Sequence, residues 1–268
     1  GITLTYSSDG GYSSADAPLH AGEYTVAAGI SNANYTLGGV SYTTKFVIEK
    51  AKLTVTVNSE KITYGDPAPV YDLSYRGFVS ADGGSETDDE SVIRGAATYS
   101  YTFGGEAAEY EAGSDVGTYN VKAAGLTADD YYFVYSSEGT LTVSPRTIVL
   151  TVTGEDKTYD GEAASVTVSA DGRFGDDEIV YVYSYSHGES SAVNAGAYTV
   201  TVTLGTGGKT GNYVLGPAAG YSDGFEIAKK TLTVTFAGEY EIEYGGTRPA
   251  FALVYDGWAD GESKPTLG

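Results

Sequence analysis

The sequence predicts a mostly β chain of tandem modules stacked end to end, and three observations carry that prediction. Thr, Val and Tyr alternate at period two between Gly, Asp, Asn and Pro turns, the pattern of half-buried strands. A set of short landmarks recurs three times in the same order. The copies are joined by almost nothing: Lys50-Ala51-Lys52, Pro145-Arg146 and Lys229-Lys230. Joints this short predict modules with limited flexing.

Each module opens on an alternating strand: Lys52-Leu53-Thr54-Val55-Thr56-Val57, then Thr147-Ile148-Val149-Leu150-Thr151-Val152, then Thr231-Leu232-Thr233-Val234-Thr235-Phe236. A tyrosine turn follows each, at Tyr64-Gly65-Asp66-Pro67, Tyr159-Asp160-Gly161 and Tyr244-Gly245-Gly246. A Gly that tolerates positive φ makes such a turn, and a Pro stiffens its exit. Tyr64, Tyr159 and Tyr244 are therefore expected to be structural, each with its ring on the core and its hydroxyl toward backbone or water. The second half of the module carries Ala21-Gly22-Glu23-Tyr24, Val116-Gly117-Thr118-Tyr119 and Ala195-Gly196-Ala197-Tyr198, so Gly22, Gly117 and Gly196 are the landmarks there. Asn34-Tyr35, Asp130-Tyr131 and Asn212-Tyr213 come next, and a closing strand ends the unit at Phe46-Val47-Ile48, Leu141-Thr142-Val143 and Phe225-Glu226-Ile227. Trp258 follows Gly257 as Phe78 follows Gly77, which makes it a core aromatic at an equivalent position.

These phases divide the chain into the C-terminal half of a repeat at 1–50, complete repeats at 51–145 and 146–229, and the N-terminal half of a repeat at 230–268. A half-unit leaves a sheet edge and a core face uncovered, so the expectation is a stretch cut from a longer array. Ser85 to Gly95 has the start and stop signals of a short helix, with Asp88, Asp89 and Glu90 in its first turn. One helix among strands predicts a β-grasp-like module. The other complete repeat offers only Gly175-Asp176-Asp177-Glu178-Ile179 there, and a module without a helix is an immunoglobulin-like β-sandwich, the alternative.

Composition removes several functions. The 268 residues hold 15 Lys+Arg against 36 Asp+Glu, a net charge of −21, which does not suit a polyanion surface and excludes nucleic acid as a partner. There is no Cys, hence no disulfide, thiolate metal site or cysteine nucleophile. No apolar run approaches the ~20 residues of a membrane span, so no membrane insertion is expected. The two histidines, His20 and His187, lie in unlike surroundings without a partner at catalytic or metal spacing, so no enzyme activity is expected.

Two ligand classes stay in view. The 25 tyrosines suggest sugar stacking: Tyr181, Tyr183 and Tyr185 share one strand face, as do Tyr99 and Tyr101. Cross-strand aromatic packing accounts for the same pattern. Acidic loops at Asp82, Asp88 and Asp89, and at Asp176 and Asp177, offer hard oxygen ligands for calcium, although their spacing matches no EF-hand loop and a solvated acidic turn is the reading that the pattern favours. An internal isopeptide link would need a buried lysine, and Lys52 is the candidate donor.

The phrase Leu53-Thr-Val-Thr-Val-Asn58, with Thr63-Tyr64-Gly65-Asp66-Pro67-Ala-Pro69, Gly77-Phe78-Val79 and Gly117-Thr-Tyr119, resembles the MBG repeats of bacterial extracellular proteins; Lys157-Thr158-Tyr159-Asp160-Gly161 resembles the YDG type. The third copy departs from the pattern, with Gly246-Thr247-Arg248 where the first has Asp66-Pro67-Ala68. The resemblance implies tandem modules in long secreted or cell-surface, adhesin-like proteins, with no catalytic residue to carry over. The expected function is a non-enzymatic stalk, spacer or display array of a bacterial surface protein. Its expected partners are a host glycan, mucin or surface protein, or neighbouring copies of the same chain. The alternatives are a carbohydrate-binding module region of a secreted glycan-active enzyme, or a subunit of an extracellular fibre.

Overall fold

The computed structural model describes residues 1–39, 42–80, 87–136 and 139–262. They form a mostly β chain of 21 strands that separates into two compact units, Gly1–Ser144 and Pro145–Gly268.

In the first unit, residues 1–50 build one sheet from β1 (Ile2–Ser7), β2 (Ser13–Ser14), β3 (Gly22–Ile30) and β4 (Thr43–Ile48), in the order β2-β1-β3-β4. Residues 51–144 supply β5 (Ala51–Val57), β6 (Glu60–Thr63), β7 (Leu73–Arg76), β8 (Thr98–Phe103), β9 (Glu106–Ala108), β10 (Gly117–Ala124), β11 (Tyr131–Tyr135) and β12 (Gly139–Ser144). These divide between two sheets, β11-β5-β7 and β6-β12-β10-β8-β9. The period-two pattern decides what each buries: Leu53, Val55 and Val57 from one sheet, and Tyr119, Val121, Ala123, Leu141 and Val143 from the other, leave solvent while the residues between them stay out. Parallel pairing of β5 with β11 and of β6 with β12 ties the start of the module to its end.

The second unit repeats this plan. Strands β13 (Arg146–Gly154), β14 (Lys157–Thr158), β15 (Val166–Asp171), β16 (Ile179–Tyr185), β17 (Gly196–Gly208), β18 (Tyr213–Leu215) and β19 (Tyr221–Ala228) form sheets β15-β13-β18 and β14-β19-β17-β16. Ile148, Leu150, Tyr198, Val200, Val202, Phe225 and Ile227 are its core. Residues 230–262 add only the hairpin of β20 (Thr233–Phe236) and β21 (Leu253–Asp256). All four residues of β20 are exposed, because no second sheet faces it among these residues.

Two sheets per complete module is the arrangement of the sandwich alternative. The helix that the grasp arrangement needs does not form among the described residues: the segment from Thr87 holds one 3-10 turn, Glu90–Val92, and Ser85 and Glu86 lie outside the described residues. The turn is shorter than the sequence signals predict, and its cap is Asp89, one of the acids expected inside the first turn. The Asp89 side chain accepts from the Ser91 N–H at 2.8 Å, yet the Ile93 N–H already bonds back to Glu90 and Arg94 leaves to pair with Thr127. The turn stops there because Val92 and Ile93 are needed against Leu53 and Tyr131 in the core. No helix of the described residues is long and apolar enough to cross a membrane.

Candidate functional site

Most of the chemistry-bearing side chains are tyrosines, and the structure uses them first as fasteners. The landmark tyrosines two residues after Gly22, Gly117 and Gly196 each reach back four residues: Tyr24 donates to the His20 carbonyl (3.0 Å), Tyr119 to Asp115 (2.8 Å) and Tyr198 to Asn194 (3.0 Å). This is the geometry of a tyrosine corner, in which a phenol ties a strand to the loop entering it. Each ring then stacks on a cross-strand aromatic, Tyr24 on Phe46, Tyr119 on Phe103 and Tyr198 on Phe225. Gly117 is required: its φ is +147°, and a Cβ there would sit 2.6 Å from the Phe103 ring.

A second fastening centres on Tyr131 and its counterpart Tyr213. The Tyr131 hydroxyl accepts from the Val79 N–H (3.0 Å) and donates to Asp88 Oδ2 (2.7 Å); the Tyr213 hydroxyl accepts from the Phe174 N–H (3.0 Å) and donates to Asp177. Burial, then the acceptor carboxylate, raises both phenols, with Tyr213 pushed up to about 12. The clamped segment begins at a glycine with positive φ lying against the opening strand. A Cβ on Gly77 would meet the Lys52 carbonyl oxygen at 2.5 Å, one on Gly172 the Thr147 oxygen at 3.2 Å, and one on Gly257 the Thr231 oxygen at 2.5 Å.

The turn tyrosines divide. Tyr64 is fully buried, and its N–H bonds the Ser144 carbonyl at the end of β12; the Tyr159 N–H bonds the Ala228 carbonyl at the end of β19, with its hydroxyl on Glu262. Tyr244 is fully exposed, since residues 230–262 contain no strand equivalent to β12 or β19. Trp258 is half-buried against Tyr255.

The calcium candidates do not converge: no group of three potential ligands forms among the described residues. Asp82 lies outside the described residues. Asp88 and Asp177 are the acceptors of Tyr131 and Tyr213, Asp89 caps the 3-10 turn, and Asp176 stands 3.9 Å from Arg173 in solvent. Lys52 is exposed on β5, on the face away from Leu53 and Val55, and so is not the buried lysine that an isopeptide link needs.

One carboxylate joins the first two segments. Asp130 accepts from the Ala21 N–H (2.7 Å) and bonds His20 Nδ1 (2.8 Å), while Lys50 Nζ donates to the nearby Ala128 carbonyl (3.0 Å). Burial pushes the Asp130 carboxyl up, but the His20 and Ala21 hydrogen bonds and the Lys50 charge outweigh it and hold the group below its ordinary value.

A cleft of about 700 Å³ lies at the edge of the 51–144 module, walled by Tyr99, Tyr101, Ala107, Ala108, Glu109 and Tyr110. Its rings continue inward: Tyr101 lies beside Tyr110, Tyr110 beside Tyr119, and Tyr71 packs on Tyr99 at 4.8 Å. Tyr71 is buried with its hydroxyl facing Tyr101 but completing no hydrogen bond. Hairpin β8-β9 makes the outer wall (Tyr101↔Ala108, Phe103↔Glu106). Tyr181, Tyr183 and Tyr185 occupy β16, the equivalent of β8, with Tyr183 and Tyr185 opposite Val202 and Val200, so they share the core-facing side. No strand equivalent to β9 follows β16, and the walled cleft is absent from that module's described residues. The signal for the cleft was the shared face of Tyr99 and Tyr101; the contribution of Tyr110 comes from a turn whose approach no sequence spacing specifies.

Residues 53–142 match the MBG domain of the YGX type, residues 144–220 the YDG domain and residues 1–52 an MBG domain. No curated protein matches the chain.

Proposed function

We propose that this chain, a tandem of MBG and YDG repeats, is a non-enzymatic structural segment of a bacterial extracellular or cell-surface protein, serving as stalk, spacer or display array. One observation carries the reading: the side chains with most chemical capacity are consumed in the same fastenings at equivalent places of successive modules. Tyr119 and Tyr198 close corners, and Tyr131 with Asp88 and Tyr213 with Asp177 pin the loops after β7 and β15; the backbone at the turn repeats as well, the N–H groups of Tyr64 and Tyr159 bonding the carbonyls of Ser144 and Ala228 at the ends of β12 and β19. Fastening the first turn to the last strand suits a module that is pulled from its two ends, because the strands nearest the ends are paired in parallel and are loaded in shear. Stretching single chains tests this. At about 3.4 Å per residue, module 51–145 releases about 300 Å on unfolding and module 146–229 slightly less. Two such steps are expected above the force at which ordinary unsheared hairpins open, and unfolding without resolved steps overturns the reading.

The tyrosine cleft favours a second reading, a carbohydrate-binding region. Rings at Tyr99, Tyr101 and Tyr110 present apolar faces, with Glu109 on the rim, as a sugar would need. Binding to a glycan array that disappears on Tyr101→Ala, with the fold retained, supports it; binding unchanged by that substitution removes it.

A further inference from the structure

Strand β16 differs from its counterparts in one respect. In residues 1–50 the equivalent strand β1 pairs with β2, and in the next module β8 is covered by β9, a short strand carrying Glu106. β16 ends sheet β14-β19-β17-β16, and no strand pairs with its outer side among the described residues. The chain leaves it through Ser186–Gly188, where His187 takes φ of 72°, and turns away instead of folding back.

That edge is unguarded. Natural edges are kept short, charged, bulged or interrupted by proline, because a row of free N–H and C=O groups recruits another strand. Ile179-Val180-Tyr181-Val182-Tyr183-Ser184-Tyr185 is the longest edge in its module, with no charge and no proline in a chain of net charge −21. Its one irregularity falls between Ile179 and Tyr181, which leaves Tyr181 to Tyr185 in regular register. Val182 is 50% and Tyr183 40% exposed, so the two faces at this edge are apolar and wet.

We infer that β16 pairs antiparallel with β16 of a second copy of this chain, forming a two-fold symmetric dimer in which two four-stranded sheets become one. The sequence is self-complementary in that arrangement. A two-fold axis at Val182 sets Val182 against itself and Tyr181 against Tyr183, both favourable cross-strand pairs of β-branched and aromatic residues. The acidic Asp176, Asp177 and Glu178 fall at the ends of the shared ladder, where Asp177 of one copy comes level with His187 of the other, so the negative charges do not face one another across the join. Because the same patch serves both partners, the contact closes at two. The pairing stands independently of the stalk reading.

Analytical ultracentrifugation of the 268-residue chain tests it, with three variants. The wild-type chain is expected to show a monomer–dimer equilibrium. Val182→Lys sets two lysines opposite one another and is expected to weaken the dimer at least about tenfold, as is Val182→Glu; an equimolar mixture of the two restores a heterodimer, because the register pairs position 182 with itself. Thr167→Lys, on the exposed face of β15 at the edge of the module's other sheet, leaves the dimer intact. Val182 faces solvent, so the variants are expected to keep the wild-type far-ultraviolet circular dichroism spectrum and a single cooperative melt, which shows that they fold. A wild-type chain that stays monomeric at about 100 μM, open-ended aggregates in place of a dimer, dimers that survive Val182→Lys, or a mixture that fails to associate each overturn the inference.

Discussion

Replacing Tyr131 with Phe isolates the hydroxyl that clamps the loop after β7. The ring stays where it is, buried against Leu53 and edge-on to Phe78 at 5.9 Å, so no cavity larger than an oxygen opens. Two interactions disappear. The charge-assisted bond to Asp88 at 2.7 Å belongs to a class contributing about 1.5–3 kcal/mol, and the Val79 N–H loses its acceptor, an unpaired donor costing about 1–3 kcal/mol when fully buried. Both partners sit at the margin of the core: Val79 is exposed and Asp88 partly so, and water re-solvates part of each. The expected net loss is therefore about 2 kcal/mol, somewhat below the sum for fully buried groups. Urea unfolding followed by far-ultraviolet circular dichroism reads it, with the emission of Trp258, which lies in the Pro145–Gly268 unit, as an internal control that does not move. Asp88→Asn keeps an acceptor but loses the charge and costs about half as much. In a double-mutant cycle the pair couples by about 1 kcal/mol. Tyr132→Phe, whose ring is half exposed, changes stability by less than about 0.5 kcal/mol. A Tyr131→Phe loss no larger than that of Tyr132→Phe refutes the clamp.

Gly77→Ala is expected to cost about 3 kcal/mol or more, since it adds a Cβ 2.5 Å from the Lys52 oxygen to an unfavourable φ of +115°, whereas Gly172→Ala, with 3.2 Å to Thr147, costs about half as much; thermal melts of the two variants give the ranking. Alkali separates the tyrosines. Tyr110, raised to about 12 by burial first and then by neighbouring phenols and Asp66, and Tyr213, also about 12, are neutral in the fold, so their contribution is complete below pH ~10 and lost as pH rises through about 12. Absorbance at 295 nm then shows an early exposed class and a late class that ionises together with unfolding; a single titration near pH 10 contradicts this. Acid works on Asp130. Its pKa is depressed in the fold, so its contribution is present above the unfolded value near ~4 and is lost as pH falls through the folded value; His20→Ala shrinks that acid-side loss, measured by urea midpoints between about pH 5 and 2. Millimolar calcium leaves the melting temperature unchanged, because Asp88 and Asp177 already serve tyrosine hydroxyls; a rise of several degrees contradicts that assignment.

What the sequence reveals here depends on the range of the interaction. Strand alternation is a property of neighbours, and Leu53-Val55-Val57 or Tyr198-Val200-Val202 needs no partner to be recognised as one buried face. Repetition extends that range, because three copies of Gly-x-Tyr signal a shared constraint even before the bond from Tyr119 to Asp115 is known. The acidic loops show the failure. Asp88 and Asp177 are spaced like solvated turn residues or loose cation ligands, and only the fold brings them to Tyr131 and Tyr213, 43 and 36 residues away. The helix signals at Ser85 to Gly95 exceed the single 3-10 turn for a related reason. Local capping favours one turn, but whether further turns form depends on what the core accepts from Val92 and Ile93. Edge status is the least legible property of all, since β8 and β16 have similar tyrosine patterns and differ only in whether Glu106–Ala108 folds back as β9.

The absence of cysteine explains why the fastenings are of this kind. A module of roughly 90 residues has a thin core, and many small extracellular domains of that size are stapled by disulfides. Here a phenol does the stapling: its ring contributes apolar area to the core while its hydroxyl spans from one sheet to a loop that has no strand to hold it. Such a staple has a direction that a disulfide lacks. Tyr131 and Tyr213 donate to carboxylates, so the hold depends on the phenol keeping its proton, and full stability is confined to the broad range between the acid-side loss at Asp130 and the alkaline loss at Tyr110 and Tyr213. The same acidity that supplies the acceptors gives the surface its negative charge, and β16, a seven-residue edge without a charged side chain, lets a second strand approach without bringing like charges together along the ladder.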